Sequence, residues 1–214
     1  MDRLSGSGGD RLCRWQDDLY RLAGRRADDW CAHAVRVISD AAQIAVVTGG
    51  PGSGKTTLCN QLAKEGIAIG RESGRAVLAQ SGGRELRMRD PLSYALEMLK
   101  LDIENFNEAR AGRGPWLFDR GFSDNAGFLD LMGLSIPAEL DRVCRNYRYD
   151  GPVFVAPPWR EIYHGDDDRI QDWEEARATY SAVSAAWASY GYELVELPKA
   201  SVEERASFVR KRLV

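Results

Sequence analysis

The sequence predicts an α/β fold: a parallel sheet with helices on both faces. Three observations predict it. From residue 44 onward, short apolar runs alternate with stretches patterned as helices. The first run, Ile44-Ala45-Val46-Val47, leads directly into the glycine-rich segment Gly49-Gly50-Pro51-Gly52-Ser53-Gly54-Lys55-Thr56. A helical pattern through Leu58, Leu62 and Ala63 follows that segment at once. A chain of 214 residues is long enough for one such domain and short for two. The boundary falls between a helical extension, 1–42, and the α/β domain, 43–214.

Residues 1–10 are small, polar and glycine-rich. Between 11 and 40, Leu12, Trp15, Leu19 and Leu22, then Trp30, Ala34, Val37 and Ile38, recur at three- and four-residue steps, which predicts two helices separated at Gly24. These helices pack as an extension, or offer a contact for a second copy or another protein. The helix after Thr56 ends before Gly66, and Ile67-Ala68-Ile69 is a second strand. Residues 74–81 read as a turn of helix. Pro91 opens a long helix to about Ala111, with Leu92, Leu96, Leu99, Ile103 and Phe106 on one face, stopped by Gly112, Gly114 and Pro115. Trp116-Leu117-Phe118 is a third strand ending in Asp119. Helices follow at 123–132 and 137–147, with Pro137 at a first helical position. Pro152–Ala156 is a fourth strand, about Trp173 to Tyr190 a helix, Glu193–Leu197 a fifth strand and 201–213 a last helix.

Composition narrows the function. The net charge of −3 offers no overall field for nucleic acid. The four cysteines, at 13, 31, 59 and 144, form no CxxC pair, which fits reduced thiols in the cytosol; Cys59 reads as a packing residue. His33 and His164 lie far apart and give no basis for a histidine metal site. Asp2-Arg3-Leu4-Ser5-Gly6 is not an apolar signal region, and no stretch approaches membrane-spanning length, so a cytoplasmic protein without membrane contact is expected.

The chemistry concentrates at three strand ends, where ligands bind in open α/β sheets. The segment 49–56 has the Walker A spacing, glycine, four residues, then Gly-Lys-Thr, between a strand and a helix. Backbone amides of Gly50, Gly52, Ser53, Gly54, Lys55, Thr56 and Thr57 can surround phosphate oxygens. Lys55 supplies a charge to them, and the Thr56 hydroxyl can ligate Mg²⁺. The positive end of the following helix points at the same anion. After strand two come Glu72 and Arg75, where the acid could orient or deprotonate an acceptor hydroxyl and the arginine could bind the acceptor. An i,i+3 surface ion pair is the other role open to them. Asp119 stands where a Walker B acid stands, able to hold Mg²⁺ or take a proton, and Arg120 could clamp phosphate. A helix cap or a loop ion pair is the competing reading for this acid. Ser123 and Asp124 read as helix caps. The segment 157–173, dense in aromatic and charged residues around Gly165, suggests a movable cover in which Arg160 and Arg169 reach the transferring group, and a charged surface hairpin is the other reading open to it. Asp166, Asp167 and Asp168 read as a solvated loop, and the loop Leu197–Ser201 borders a nucleotide base.

The pieces TGGPGSGKTT (48–57), IGRESGR (69–75), LFDRG (117–121), YRYD (147–150), PPWREIY (157–163) and DRIQDW (168–173) span most of 44–214. Together they resemble a family of AAA-type predicted ATPases in the P-loop kinase branch, related to the kinase domain of nicotinamide riboside kinase. The first 40 residues lie outside the resemblance. It implies a three-layer P-loop NTPase fold, a five-stranded parallel sheet in 2-3-1-4-5 order, and a lid after strand four. It also implies that Glu72 and Arg75 contact the acceptor, that Asp119 is the carboxylate of strand three, and that Arg169 is the lid arginine. Deoxynucleoside kinases have a similar acid-arginine step, which matches Asp119-Arg120. The chain has no room for the helical sensor domain of AAA+ motors, and no Asn-Lys-x-Asp segment of the GTPase kind, which favours ATP. The expected function is an ATP- and Mg²⁺-dependent transfer of phosphoryl to a hydroxyl of a small, nucleoside-like metabolite. The alternatives are an ATP-driven switch acting on a partner through residues 11–40, and a nucleic-acid kinase.

Overall fold

The computed structural model describes residues 42–163 and 172–213. The expected extension over 1–42 therefore lies almost wholly outside the described residues, as do Arg169 and the three aspartates 166–168.

Strand β1 (Ile44–Gly49) has all six residues buried, as a run flanked on both faces must. It is followed by α1 (Lys55–Lys64), β2 (Ala68–Gly70), α2 (Ser73–Leu78), α3 (Gly83–Arg89) and α4 (Pro91–Ala111). Then come β3 (Trp116–Asp119), α5 (Phe122–Leu131), α6 (Ala138–Asn146), β4 (Val153–Ala156), α7 (Trp173–Ser189), β5 (Leu194–Glu196) and α8 (Val202–Arg210). The sheet order is β2-β3-β1-β4-β5 and every pairing is parallel. Val47 lies beside Asp119 of β3 and Phe154 of β4, so both neighbours of β1 end beside the glycine-rich loop. The strand order reverses there, between β3 on one side of β1 and β4 on the other, and a crevice opens at the carboxyl ends.

The two faces are filled differently. Leu58, Leu62, Leu197, Ala206 and Val209 pack under β1 and β4 on the side of α1 and α8. On the other side, Phe106, Phe122, Tyr149 and Trp187 make an aromatic cluster, with Phe122–Tyr149 at 5.1 Å and Tyr149–Trp187 at 5.6 Å between ring centroids. Each such pair adds about 0.5–1.5 kcal/mol beyond its area burial. The YRYD segment supports this cluster. The Ile44 amide donates to Asp150 Oδ1 at 2.8 Å, Arg110 pairs with Asp150 Oδ2 at 2.9 Å, and Arg148 lies 3.8 Å over the Tyr192 ring. A Cβ at Gly121 would stand 2.7 Å from the Tyr149 hydroxyl, which explains the glycine after Arg120.

The structure corrects several expectations. The first strand runs to Gly49, two residues past the apolar run. Helix α3 was not expected, because its Arg-Glu-Leu-Arg-Met-Arg pattern has too narrow an apolar stripe to reveal a helix. Pro137 is the extended residue before α6, with ψ 151°, and not its first helical residue. Leu92 is 36% exposed, and the buried face of α4 begins at Tyr94 and Ala95. The last helix stops at Arg210. Burial pushes the Cys59 thiol up, in keeping with a core residue. No helix among the described residues is long and apolar enough to cross a membrane.

Candidate active site

The glycine-rich loop is forced into shape by its neighbours. A Cβ at Gly49 would strike the Ala156 carbonyl, and one at Gly50 the Ala176 carbonyl at the start of α7. Gly52 and Gly54 have φ of 73° and 77°, a region in which only glycine is unstrained. The first turn of α1 has no side-chain cap and no acidic residue, so its amides are left for an anion. Lys55 is 6% exposed, and its ammonium donates to Gly50 O at 2.7 Å, to Gly49 O at 3.2 Å and to Ser53 Oγ at 3.2 Å. Burial, with the positive charge of Arg120 second, pulls its pKa down to about 8. A phosphate would supply the negative charge this ammonium lacks.

Sequence reasoning missed what holds the loop from behind. Arg205 of α8 is 4% exposed and donates to Ser53 O at 3.2 Å, while its Nε has no partner. The signal was an arginine on the apolar stripe of that helix, beside Ala206 and Val209.

Around the loop lie the acids. Glu72 precedes α2, with Arg75 Nε at 2.7 Å from Oε2 and Arg120 Nε at 3.7 Å from Oε1. Arg75 also donates to Thr56 Oγ1 at 3.3 Å, which ties the strand-two residues to the phosphate loop. Arg120 is the one non-glycine residue with positive φ among the described residues, at 75°. That conformation costs about 1–3 kcal/mol and is typical of residues held for function. It turns the side chain back toward Glu72 and toward Asp124, 3.1 Å from Oδ1. Asp119 is 6% exposed, and burial pushes its carboxyl up to about 6, with Lys55 pulling the other way. Its Oδ1 has no hydrogen-bond partner.

Asp124 does more than cap α5. Its Oδ2 accepts from the Gly121 amide at 3.0 Å, as a cap does, and also from Trp187 Nε1 at 3.0 Å. Oδ1 accepts from Thr48 at 2.6 Å and from Arg120 at 3.1 Å. With these directions filled, Asp124 is a fixed counter-charge for Arg120. Ser123 is buried at the second position of α5 and is not the cap. Arg160 lies in a single 3-10 turn, 5.2 Å over the Trp173 ring, and does not line the cavity.

That cavity measures about 480 Å³. Pro51 to Thr57, Glu72, Arg75, Arg120 and Asp124 line one part of it, and Leu78, Tyr94, Met98, Phe128, Leu131 and Val183 another. Arg84 and Arg87 of α3 also line it, and both went unnoticed because α3 did. Beneath its wall, buried Asp102 of α4 accepts from Ser73 Oγ at 2.5 Å and from Asn125 Nδ2 at 2.8 Å, joining α2, α4 and α5. Burial pushes its carboxyl up to about 7, against the pull of those two hydrogen bonds. The folded chain therefore binds this proton more tightly than the unfolded chain, and stability falls as pH rises from about 4 through 7. Asp102→Asn removes the titration. Its stability, relative to the parent, is expected to improve by on the order of 3 kcal/mol between pH 5 and pH 8. Urea denaturation at both pH values checks this, and parallel pH profiles would contradict it.

Among the described residues, no group of three or more His, Cys, Asp or Glu side chains could hold a metal ion. Mg²⁺ at nucleotide phosphates needs fewer protein ligands, because phosphate and water oxygens complete its shell. The unpartnered Asp119 Oδ1 and the Thr56 hydroxyl at the loop rim fit such an ion.

Sequence comparison with curated proteins finds no significant match. Among solved structures, deoxyadenosine kinase from M. mycoides, bound to dCMP and dCDP, matches with TM-score 0.59 and 13% identity, over 78% of this chain and 97% of that one. NadR protein in complex with NR matches with TM-score 0.58 and 18% identity, over 80% of this chain and 52% of that one. Thymidylate kinase from Candida albicans matches with TM-score 0.51 and 9% identity, over 81% and 91%. These likenesses establish the fold, including the 2-3-1-4-5 sheet. A sequence model described as AAA domain matches residues 44–205, from the first strand to the arginine behind the phosphate loop. The chain belongs to that AAA domain family, as a member built on the fold of the P-loop kinases.

Proposed function

We propose that the chain is an ATP- and Mg²⁺-dependent phosphotransferase that moves the γ-phosphoryl group to a hydroxyl of a small, nucleoside-like metabolite. One observation carries this reading: a single cavity joins the phosphate loop to walls formed by Glu72, Arg75, Tyr94 and Phe128. Hydrolysis of ATP alone does not call for the aromatic walls that this cavity adds beside the phosphate loop. The kinases among the similar structures support the reading.

In it, the loop amides and Lys55 hold the phosphates, and Arg120 neutralises charge on the group in transfer. Glu72 faces the cavity, partly exposed, and orients or deprotonates the acceptor hydroxyl. Asp119 lies deeper and acts on the metal side. Mg²⁺, held by Thr56 and through water by Asp119, would supply charge neutralisation at the phosphate oxygens. Positioning and charge stabilisation suffice for this reaction. Arg169 belongs to the segment outside the described residues and keeps the lid role proposed for it.

The test is Mg-ATP consumption by purified protein with nucleosides, nucleotides, sugars and hydroxylated antibiotics, with products identified by mass spectrometry. An acceptor-dependent rate and a product heavier by one phosphoryl group are expected. Slow ADP release, equal with every acceptor, would overturn the reading in favour of a switch.

A further inference from the structure

We propose that Arg205 is a positioning residue for the nucleotide: its charge, passed through the Ser53–Gly54 peptide group, strengthens binding of phosphates that it does not touch. The inference rests on the ATP half of the phosphotransfer reading and not on the acceptor.

In front of the phosphate loop the arginines have carboxylates: Arg75 meets Glu72 at 2.7 Å and Arg120 meets Asp124 at 3.1 Å. Behind it, Arg205 is a buried cation with no carboxylate beside it among the described residues. It is 4% exposed, donates to Ser53 O at 3.2 Å and leaves Nε without a partner. The adjacent acid, Glu204, is turned to the start of α8, where it accepts from the Ser201 amide at 3.1 Å and the Ser201 hydroxyl at 3.0 Å. Burial pulls the arginine below its usual value, and the one titratable group that pulls the other way is Cys59. Burial keeps that thiol protonated, so it returns no charge. The capping box of Ser201 and Glu204, with Ala206 and Val209 in the core, fixes α8 and holds the guanidinium against the loop. A Cβ at Gly54 would stand 2.7 Å from its Nη1.

An uncompensated charge in the interior is costly. Here it adds to a loop that already carries Lys55 and the positive end of α1, so the cost is greatest while the site is empty. Nucleotide phosphates supply the missing negative charge from the far side of the loop. Ser53 O and the Gly54 N–H belong to one peptide group. A guanidinium on the carbonyl polarises that group and makes its amide a stronger donor to an anion. Because the arginine is buried, salt screens this effect little.

Calorimetric titration of the full chain with Mg-ATP and with AMP tests this. Arg205→Met fills the space without charge, and Arg205→Gln keeps a donor without charge. Both are expected to weaken ATP binding by roughly tenfold, the scale of one charge-assisted hydrogen bond. Arg205→Lys keeps the charge and is expected to retain most of the affinity. AMP lacks the β- and γ-phosphates, so its affinity should be the same in all four proteins. Parental ATP affinity in the Met and Gln variants, a loss in Lys as large as in Met, or an equal loss for AMP and ATP would overturn the inference, since the arginine then only packs against the loop. Thermal melting without nucleotide checks folding, and if the Met variant does not fold, the Gln and Lys variants carry the same comparison. A parent that binds no ATP overturns this inference and the kinase reading together. ATP binding that depends on Arg205, with no phosphorylated acceptor found, supports this inference and overturns only the kinase.

Discussion

Lys55→Ala is expected to lower phosphotransfer by about two to three orders of magnitude, the loss that follows removal of one preorganised charge from a reacting centre. Nucleotide affinity should fall with it. The ammonium is buried and now satisfied by the Gly49 and Gly50 carbonyls and the Ser53 hydroxyl, the same rim that nucleotide phosphates would occupy. Its depressed pKa shows that the charge is held there at a cost, from burial and from Arg120. Alanine removes that cost along with the function, so the variant should melt no lower than the parent. Steady-state kinetics, titration with a fluorescent ATP analogue and thermal melting read the three quantities. Full activity in Lys55→Ala would contradict the phosphate-loop assignment.

Glu72→Gln is expected to reduce transfer by about 10²–10⁴-fold while ATP binding is spared. Glutamine keeps the size of the side chain and one acceptor for Arg75, now 2.7 Å away, and loses the charge that an acceptor hydroxyl would use. Arg120 retains Asp124 as its counter-ion, so the wall is not left with an unpaired guanidinium. The signature is a fall in kcat for the acceptor reaction with slow, acceptor-independent ADP release unchanged. If transfer continues at the parental rate, Glu72 has no part in the reaction and Asp119 becomes the candidate base.

What could be read from the sequence was local. The run into Gly49–Thr56 was legible from its own residues, because a strand, a turn of glycines and a helix start each have distinct residue requirements, and all three agree. The long helix from Pro91 was legible from its opening proline, a sustained period and the stop at Gly112, Gly114 and Pro115, while the cap that Asp90 gives it was not read. The features that escaped depend on contacts distant in sequence. Asp124 looked like a cap, and its bonds to Thr48 and Trp187 join residues 76 and 63 positions apart. Arg205 reaches a loop 152 positions away. Helix α3 buries only Gly83 fully and carries no apolar stripe to announce it, and its two cavity arginines were lost with it.

The central position of β1 also has a consequence for synthesis of the chain. Its two edges pair with residues around 116–119 and 153–156, so the first strand of the sheet to be made has no partner on either edge until those later segments exist. At about 5–20 residues per second, Gly49 is made on the order of 5–20 s before Ala156 exists to close over it. Through that interval an apolar strand with two open edges must be kept from pairing with other chains. The phosphate loop takes shape only when both partners arrive. Nucleotide therefore cannot assist the early steps of folding; it can only hold the finished domain, and raising ATP late in refolding should help where raising it early does not.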